Sequence, residues 1–168
     1  MENLKVRPCK AGEPSYVCYL QMKIYEEEYQ FKGIFEHYLL ASMAEFIPPK
    51  SESRLWVALD GEKIIGSIAM VKSEENTAQL RWFAVAPRYQ GKGVGKKLMD
   101  VAMEFCQERH YTHIYLWTVD ILKSARQLYK NYGFTLNEEK WNTEWIGEPL
   151  KEERWDFFAP KEDNTNEK

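Results

Sequence analysis

One stretch of the chain gathers residues suited to holding an anion. It runs Phe83-Ala84-Val85-Ala86-Pro87-Arg88-Tyr89-Gln90-Gly91-Lys92-Gly93-Val94-Gly95-Lys96-Lys97-Leu98-Met99. An apolar run leads into a loop with three glycines, and the loop leads into a helix-period pattern. Glycine has no Cβ, so the backbone of such a loop can approach a ligand closely. A helix N-terminus adds the equivalent of about half a positive charge. Lys92 and Lys96 add mobile charge. The chemistry is that of an anion cradle, and a pyrophosphate is its natural guest; the same glycines would also serve a plain tight turn. Spacing excludes two nucleotide loops. A P-loop needs Gly-Lys-Ser or Gly-Lys-Thr after four intervening residues, and here Lys96-Lys97 occupies that place. A dinucleotide fingerprint needs unequal glycine intervals, whereas Gly91, Gly93 and Gly95 alternate evenly.

The pattern that fits is Gln-x-x-Gly-x-Gly, met by Gln90, Gly93 and Gly95. A second segment follows after a helix and a strand: Ser124-Ala125-Arg126-Gln127-Leu128-Tyr129-Lys130-Asn131-Tyr132-Gly133-Phe134. The pair resembles the acetyl-CoA loop and the Ala-x-x-Leu-Tyr-x-x-x-Gly-Phe helix of the GNAT superfamily of N-acetyltransferases. The resemblance implies a mixed α/β (α+β) fold. Its central sheet would be mostly antiparallel, with about seven strands and about four helices packed on both faces. It also implies acetyl-CoA as cosubstrate and acetyl transfer to a primary amine of a small molecule or a protein. A closer likeness, carried by Leu80-Arg81-Trp82-Phe83, Leu116-Trp117-Thr118 and Glu138-Glu139-Lys140, is to the acetyltransferase half of regulators that carry a MarR-type winged helix. At 168 residues the chain is expected to be a stand-alone version of that half.

The resemblance assigns roles residue by residue. A backbone N–H near Val85 would hold the thioester oxygen as negative charge builds. Phe83, Ala84 and Val85 would bond the pantetheine arm like an added strand. Gln90, Gly91, Lys92, Gly93, Val94, Gly95 and Lys96 would form the pyrophosphate cradle, with Ala125, Tyr129 and Tyr132 completing the cofactor side. Tyr129 matches the family's general acid. It also shares a helix stripe with Ile121, Ala125, Leu128 and Tyr132, as an ordinary core aromatic would. Tyr132 is its nearest substitute, and packing suits it better. Where some relatives carry a basic Glu, this chain has Gln79, which cannot take a proton at neutral pH. Glu28 is a candidate base or a solvated charge beside Glu26 and Glu27. Leu122 replaces an Asn common in relatives. The Arg81 guanidinium suits a carboxylate on an amino-acid-like acceptor, or an internal ion pair with a Glu of the first helix. Tyr25 and Tyr29 would wall the acceptor pocket or belong to the core. If the strand bulges beyond Phe83, then Gln79, Arg81, Phe83 and Val85 share one side. The competing function is an acyl-CoA-binding or sensing module with little turnover.

The elements that must position these residues follow from periodicity. Leu4 to Arg7 reads as a strand. Pro14 opens a helix reaching about Tyr29, and Phe35 to Phe46 forms a second, stopped by Pro48-Pro49. Leu55–Leu59, Ile64–Val71 and Ala78–Val85 read as strands, the first two joined at Asp60-Gly61. Val94, Leu98, Val101, Ala102 and Phe105 mark a helix, His113 to Val119 a strand, and Ile121 to Tyr132 a helix capped by Gly133. Two more strands are expected around Trp141–Trp145 and Arg154–Phe158. This is a single domain over residues 1–160, with 161–168 a polar tail expected to fray.

Composition sets the boundaries. The chain is 44% hydrophobic and 14% aromatic, ample for one core. Lys and Arg number 23 against 26 Asp and Glu, a net charge of −3. That balance argues against nucleic acid, whose phosphates need clustered positive charge. No run approaches the roughly 20 apolar residues of a membrane span. The odd cysteine count, Cys9, Cys18 and Cys106, fits reduced thiols of a cytoplasmic protein, with no metal site. A homodimer is compatible with the aromatic supply.

Overall fold

The computed structural model describes residue 1 and residues 3–161. The rest of the expected tail, residues 162–168, lies outside the described residues. Seven strands form one sheet: β1 (Leu4–Pro8), β2 (Arg54–Asp60), β3 (Lys63–Glu74), β4 (Thr77–Val85), β5 (His113–Val119), β6 (Thr135–Asn142) and β7 (Leu150–Phe158). Four helices cover it: α1 (Glu13–Tyr29), α2 (Gly33–Phe46), α3 (Val94–Glu108) and α4 (Lys123–Asn131). The spatial order is β1-β2-β3-β4-β5-β7-β6, and β4–β5 is the parallel pair in an otherwise antiparallel sheet. This is the mixed sheet, clad on both faces, that the resemblance implies.

Alternation along the strands divides the core. Trp56 and Ala58 of β2 face α3 and α4, together with Leu98, Phe105, Tyr129 and Trp155. Leu55, Val57 and Leu59 face α1 and α2, together with Val17, Phe35 and Met43. The hairpin joining β2 to β3 turns at Gly61, where φ is +63°, a conformation natural to glycine. α4 closes with Gly133 at φ +89°. There the Phe134 N–H reaches the Tyr129 carbonyl (3.1 Å) and the Gly133 N–H the Lys130 carbonyl (3.0 Å), which satisfies the helix end.

The segment Trp141–Trp145 departs from the expected strand. β6 stops at Asn142, whose Oδ1 accepts from the N–H groups of Glu144 (2.9 Å) and Trp145 (3.2 Å). That side-chain turn replaces the ladder. It swings the Trp145 ring against Phe31 and Phe35, with centroids at 5.8 and 5.1 Å.

β4 carries the irregularity that matters for function. Ser67 of β3 pairs with Ala84, but Ala69 pairs with Arg81, so Trp82 and Phe83 together oppose one residue. Trp82 takes φ +44°, rare for a bulky side chain. The Ser67 hydroxyl supports it by donating to the Trp82 carbonyl at 2.7 Å. The bulge falls before Phe83, not beyond it. Arg81 and Trp82 therefore share the α1/α2 face, while Phe83 and Val85 turn to the α3/α4 face. The single shared side expected of Gln79, Arg81, Phe83 and Val85 does not form.

Candidate active site

The bulge comes where two strands part. β4 and β5 pair only as Thr77–His113, Ala78–Ile114 and Gln79–Tyr115. Beyond these rungs they diverge. The Ala86 N–H donates to the Ile65 carbonyl at 2.8 Å, and bonded pairs alternate along an antiparallel ladder. Val85, opposite Gly66, therefore aims its N–H and carbonyl away from β3 and into the gap. The carbonyl is met by the Gln90 amide, which donates at 3.0 Å.

The loop after β4 turns through Pro87–Tyr89 and enters α3 at Gly93. Gly91 and Gly93 adopt φ +71° and +82°, left-handed values that only glycine takes without strain. A Cβ at either would meet nothing, so backbone conformation and not space is what requires glycine there. The first backbone bond into α3 is Lys97 N–H to the Gly93 carbonyl at 3.0 Å. Among the described residues no backbone carbonyl accepts from the N–H groups of Gly91 through Lys96. These donors end a helix whose dipole is positive there. The Lys96 ammonium is paired with Asp100 at 2.8 Å. The Tyr132 hydroxyl also bonds Asp100 and lies 3.0 Å from the Lys96 carbonyl. Burial, with Asp100 second, pushes the Tyr132 phenol up; Lys96, with Tyr132 second, holds the Asp100 carboxyl down. Tyr132 thus clamps α4 to the first turn of α3.

A cavity of about 340 Å³ fills the gap above this loop. Phe83, Ala84 and Val85 form one wall, and Gln90, Gly91, Gly93, Gly95 and Lys96 its mouth. Ala125 lies opposite, beside Ser124 and Leu128, and Tyr25 and Tyr29 reach over from α1. The other expected residues stand elsewhere. Val94 is 1% exposed and packs in the core, outside the cavity lining. Lys92 is exposed beside Tyr89. Glu28 is exposed and lines neither cavity. Tyr129 is 4% exposed and stands behind Phe83, ring centroids 6.1 Å apart. Burial, with the Tyr25 phenol second, pushes the Tyr129 phenol far above the usual tyrosine range, so it holds its proton at neutral pH.

A second cavity, of about 200 Å³, lies on the α1/α2 face. Tyr25 and Leu122 line both, so the two meet at those side chains. Burial pushes the Tyr25 phenol up to about 12, with Gln21 pulling the other way. Gln79 and Arg81 supply the β4 wall, and Arg81 stacks on Trp82 at 4.6 Å. Burial lowers the pKa of Arg81. The ion pair with a Glu of the first helix is not made; among the described residues Arg81 has no salt-bridge partner. Polar residues to which the sequence assigned no role join it, among them Gln21 of α1, Glu152 of β7, Tyr38, Ser42 and Thr118. Glu152 could be found only from strand parity, which sets it opposite Val119 at the open end of β5.

Residues 17–134 match the family model described as the acetyltransferase (GNAT) family. The chain belongs to that family. Its fold is the GNAT fold, shared with a GNAT acetyltransferase from Staphylococcus aureus at a TM-score of 0.76 and 20% identity, covering 94% of this chain and all of that one. A structure from Salmonella typhimurium that contains its cofactor acetyl-CoA aligns at TM-score 0.74 and 12% identity, over 95% of this chain and 96% of that one. N-acetylaspartate synthetase of Xenopus tropicalis is 32% identical over 96 residues, 56% of this chain and 35% of that protein. The chain spans about a third of the length of such curated relatives. GNAT proteins use acetyl-CoA, and the residues here fit it. Free N–H donors at the α3 terminus suit its pyrophosphate, and the outward-facing Val85 backbone suits its amide arm. No helix among the described residues is long and apolar enough to cross a membrane.

Proposed function

We propose that the protein is an acetyl-CoA-dependent N-acetyltransferase that acetylates a primary amine by direct attack in a ternary complex. The observation that carries this is the meeting of the two cavities at Tyr25 and Leu122. One cavity has the cradle and the Val85 donor, and the other has room for an acceptor. A small-molecule acceptor suits a volume of about 200 Å³. A relative named for an acetylated amino acid, N-acetylaspartate synthetase, supports the same class.

When bound, acetyl-CoA supplies an activated acetyl thioester. The N–H groups of Gly91 through Lys96 would hold its phosphates, and the Val85 edge, where Gln90 donates to the carbonyl, would take its amide arm. The Val85 N–H would stabilise the oxygen on which negative charge develops; one such donor is worth roughly 10²–10³ in rate. Tyr129, which stands behind Phe83 and lines neither cavity, would reach the departing sulfur with its proton only if Phe83 gives way. Tyr25 and Tyr29 close the site over the amine.

The reading is tested by thiol release from acetyl-CoA across amino acids, polyamines, aminoglycosides and a lysine peptide. Acceptor-dependent thiol release is expected for one class. Binding without turnover would instead mark an acyl-CoA sensor. Tyr129→Phe is expected to lower kcat by roughly 10²–10⁴-fold and leave acetyl-CoA affinity unchanged. Unchanged kcat would remove Tyr129 as the acid.

A further inference from the structure

We propose that the second cavity binds a free α-amino acid with an apolar side chain, its carboxylate on Arg81 and its amine between Glu152 and Gln21. The inference rests on the acetyltransferase reading and adds the acceptor. Three polar groups on different elements point the same way. Arg81 is half-buried and makes no ion pair among the described residues. A guanidinium so placed is matched by a carboxylate, which can accept both arms of its fork. Gln21 is 7% exposed, and its Oε1 is buried with no hydrogen-bond partner. Buried oxygens are rarely left so, and an ammonium is a fitting donor. Glu152 is 8% exposed; Asn142 donates to it at 3.3 Å, while Lys140 stands off at 3.9 Å. One cationic donor and two acceptors on a single cavity are the complement of a zwitterion.

The remaining wall decides the side chain. Phe31, Phe35 and Trp145 line its largest apolar part and pack on one another, with Phe31–Phe35 centroids at 4.7 Å, while Ser42 and Thr118 line the cavity elsewhere. Such a surface favours an apolar group over a second charge. The volume of about 200 Å³ gives room for a small molecule.

Glu152 also supplies the proton acceptor that Gln79 cannot. The bound ammonium gives one proton to the Glu152 carboxylate. The neutral nitrogen attacks the thioester carbon; the N–C bond forms and the C–S bond breaks. The sulfur leaves with its electron pair and takes the Tyr129 proton. The second nitrogen proton restores Tyr129, and Glu152 releases its own to solvent.

The test compares leucine and phenylalanine with their decarboxylated amines and with aspartate. It reads both thermal stabilisation without acetyl-CoA and thiol release with it. The apolar amino acids are expected to raise Tm and to exceed their decarboxylated amines in kcat/KM by at least about 100-fold. Arg81→Met should bring that ratio toward one, with Arg81→Lys between. Glu152→Gln should lower kcat more than it raises KM. Equal use of the decarboxylated amines, a preference for aspartate, or a ratio that survives Arg81→Met would overturn the proposal. Acetyl-CoA binding is measured separately by calorimetry. If acetyl-CoA binds and no amino acid does, the acceptor assignment falls alone. If acetyl-CoA fails to bind while leucine binds through Arg81, the acetyltransferase reading falls and the amino-acid site stands.

Discussion

Gly93 illustrates how much one backbone angle carries. At φ +82° with open space around it, it asks nothing of its neighbours and everything of its own conformation. Gly93→Ala should therefore fold, at a cost of about 1–2 kcal/mol measured by urea unfolding. Gly93→Glu adds a negative charge where the free N–H groups await an anion, and calorimetry should find no acetyl-CoA binding. Intact binding by that variant would place the phosphates elsewhere. The glycine loop opening α3 was legible from sequence because its spacing excludes the other phosphate loops and its motif resembles that of the family. Trp82 was not legible. Nothing in a tryptophan announces a positive φ; the bulge comes from the Ser67 bond and the pairing on either side.

The join between β1 and α1 shows an element held by charge. The Arg7 fork meets the Glu13 carboxylate at 2.7 and 2.9 Å, and the Lys10 N–H adds a bond at 2.7 Å. The bonds from Arg7, ahead of the Lys10 N–H, lower the Glu13 carboxyl from 4.5 to about 2. A carboxyl lowered in the fold contributes stability that is complete above pH 4.5 and lost as pH falls toward about 2. Glu13→Gln should lower the unfolding free energy at neutral pH by on the order of 1 kcal/mol and flatten the decline between those values. An unchanged acid slope would show that other carboxylates set it. Helices and strands were readable where one face is apolar, as in α3. The end of β6 was not, because Asn142 breaks a run of otherwise strand-like residues through its own side chain.

Across the whole molecule, the second cavity was legible only in part: the sequence offered Arg81 and Tyr25 but neither Gln21 nor Glu152. Arg81 and Glu152 come from β4 and β7, which approach through a sheet order no local pattern discloses. The same order makes the sheet two panels, β1–β4 and β5–β7, sharing three rungs between Thr77–Gln79 and His113–Tyr115. Above those rungs the Val85 edge has no strand beside it. A ligand lying there would act as a strut, adding cross-links where the panels stand apart. Amide exchange at Val85 should slow with acetyl-CoA, while exchange at Ala58, already within the β2–β3 ladder, should not. Limited proteolysis should follow, with saturated protein cut more slowly than free protein. In the cell, that would make the lifetime of the protein a gauge of its acetyl-CoA supply.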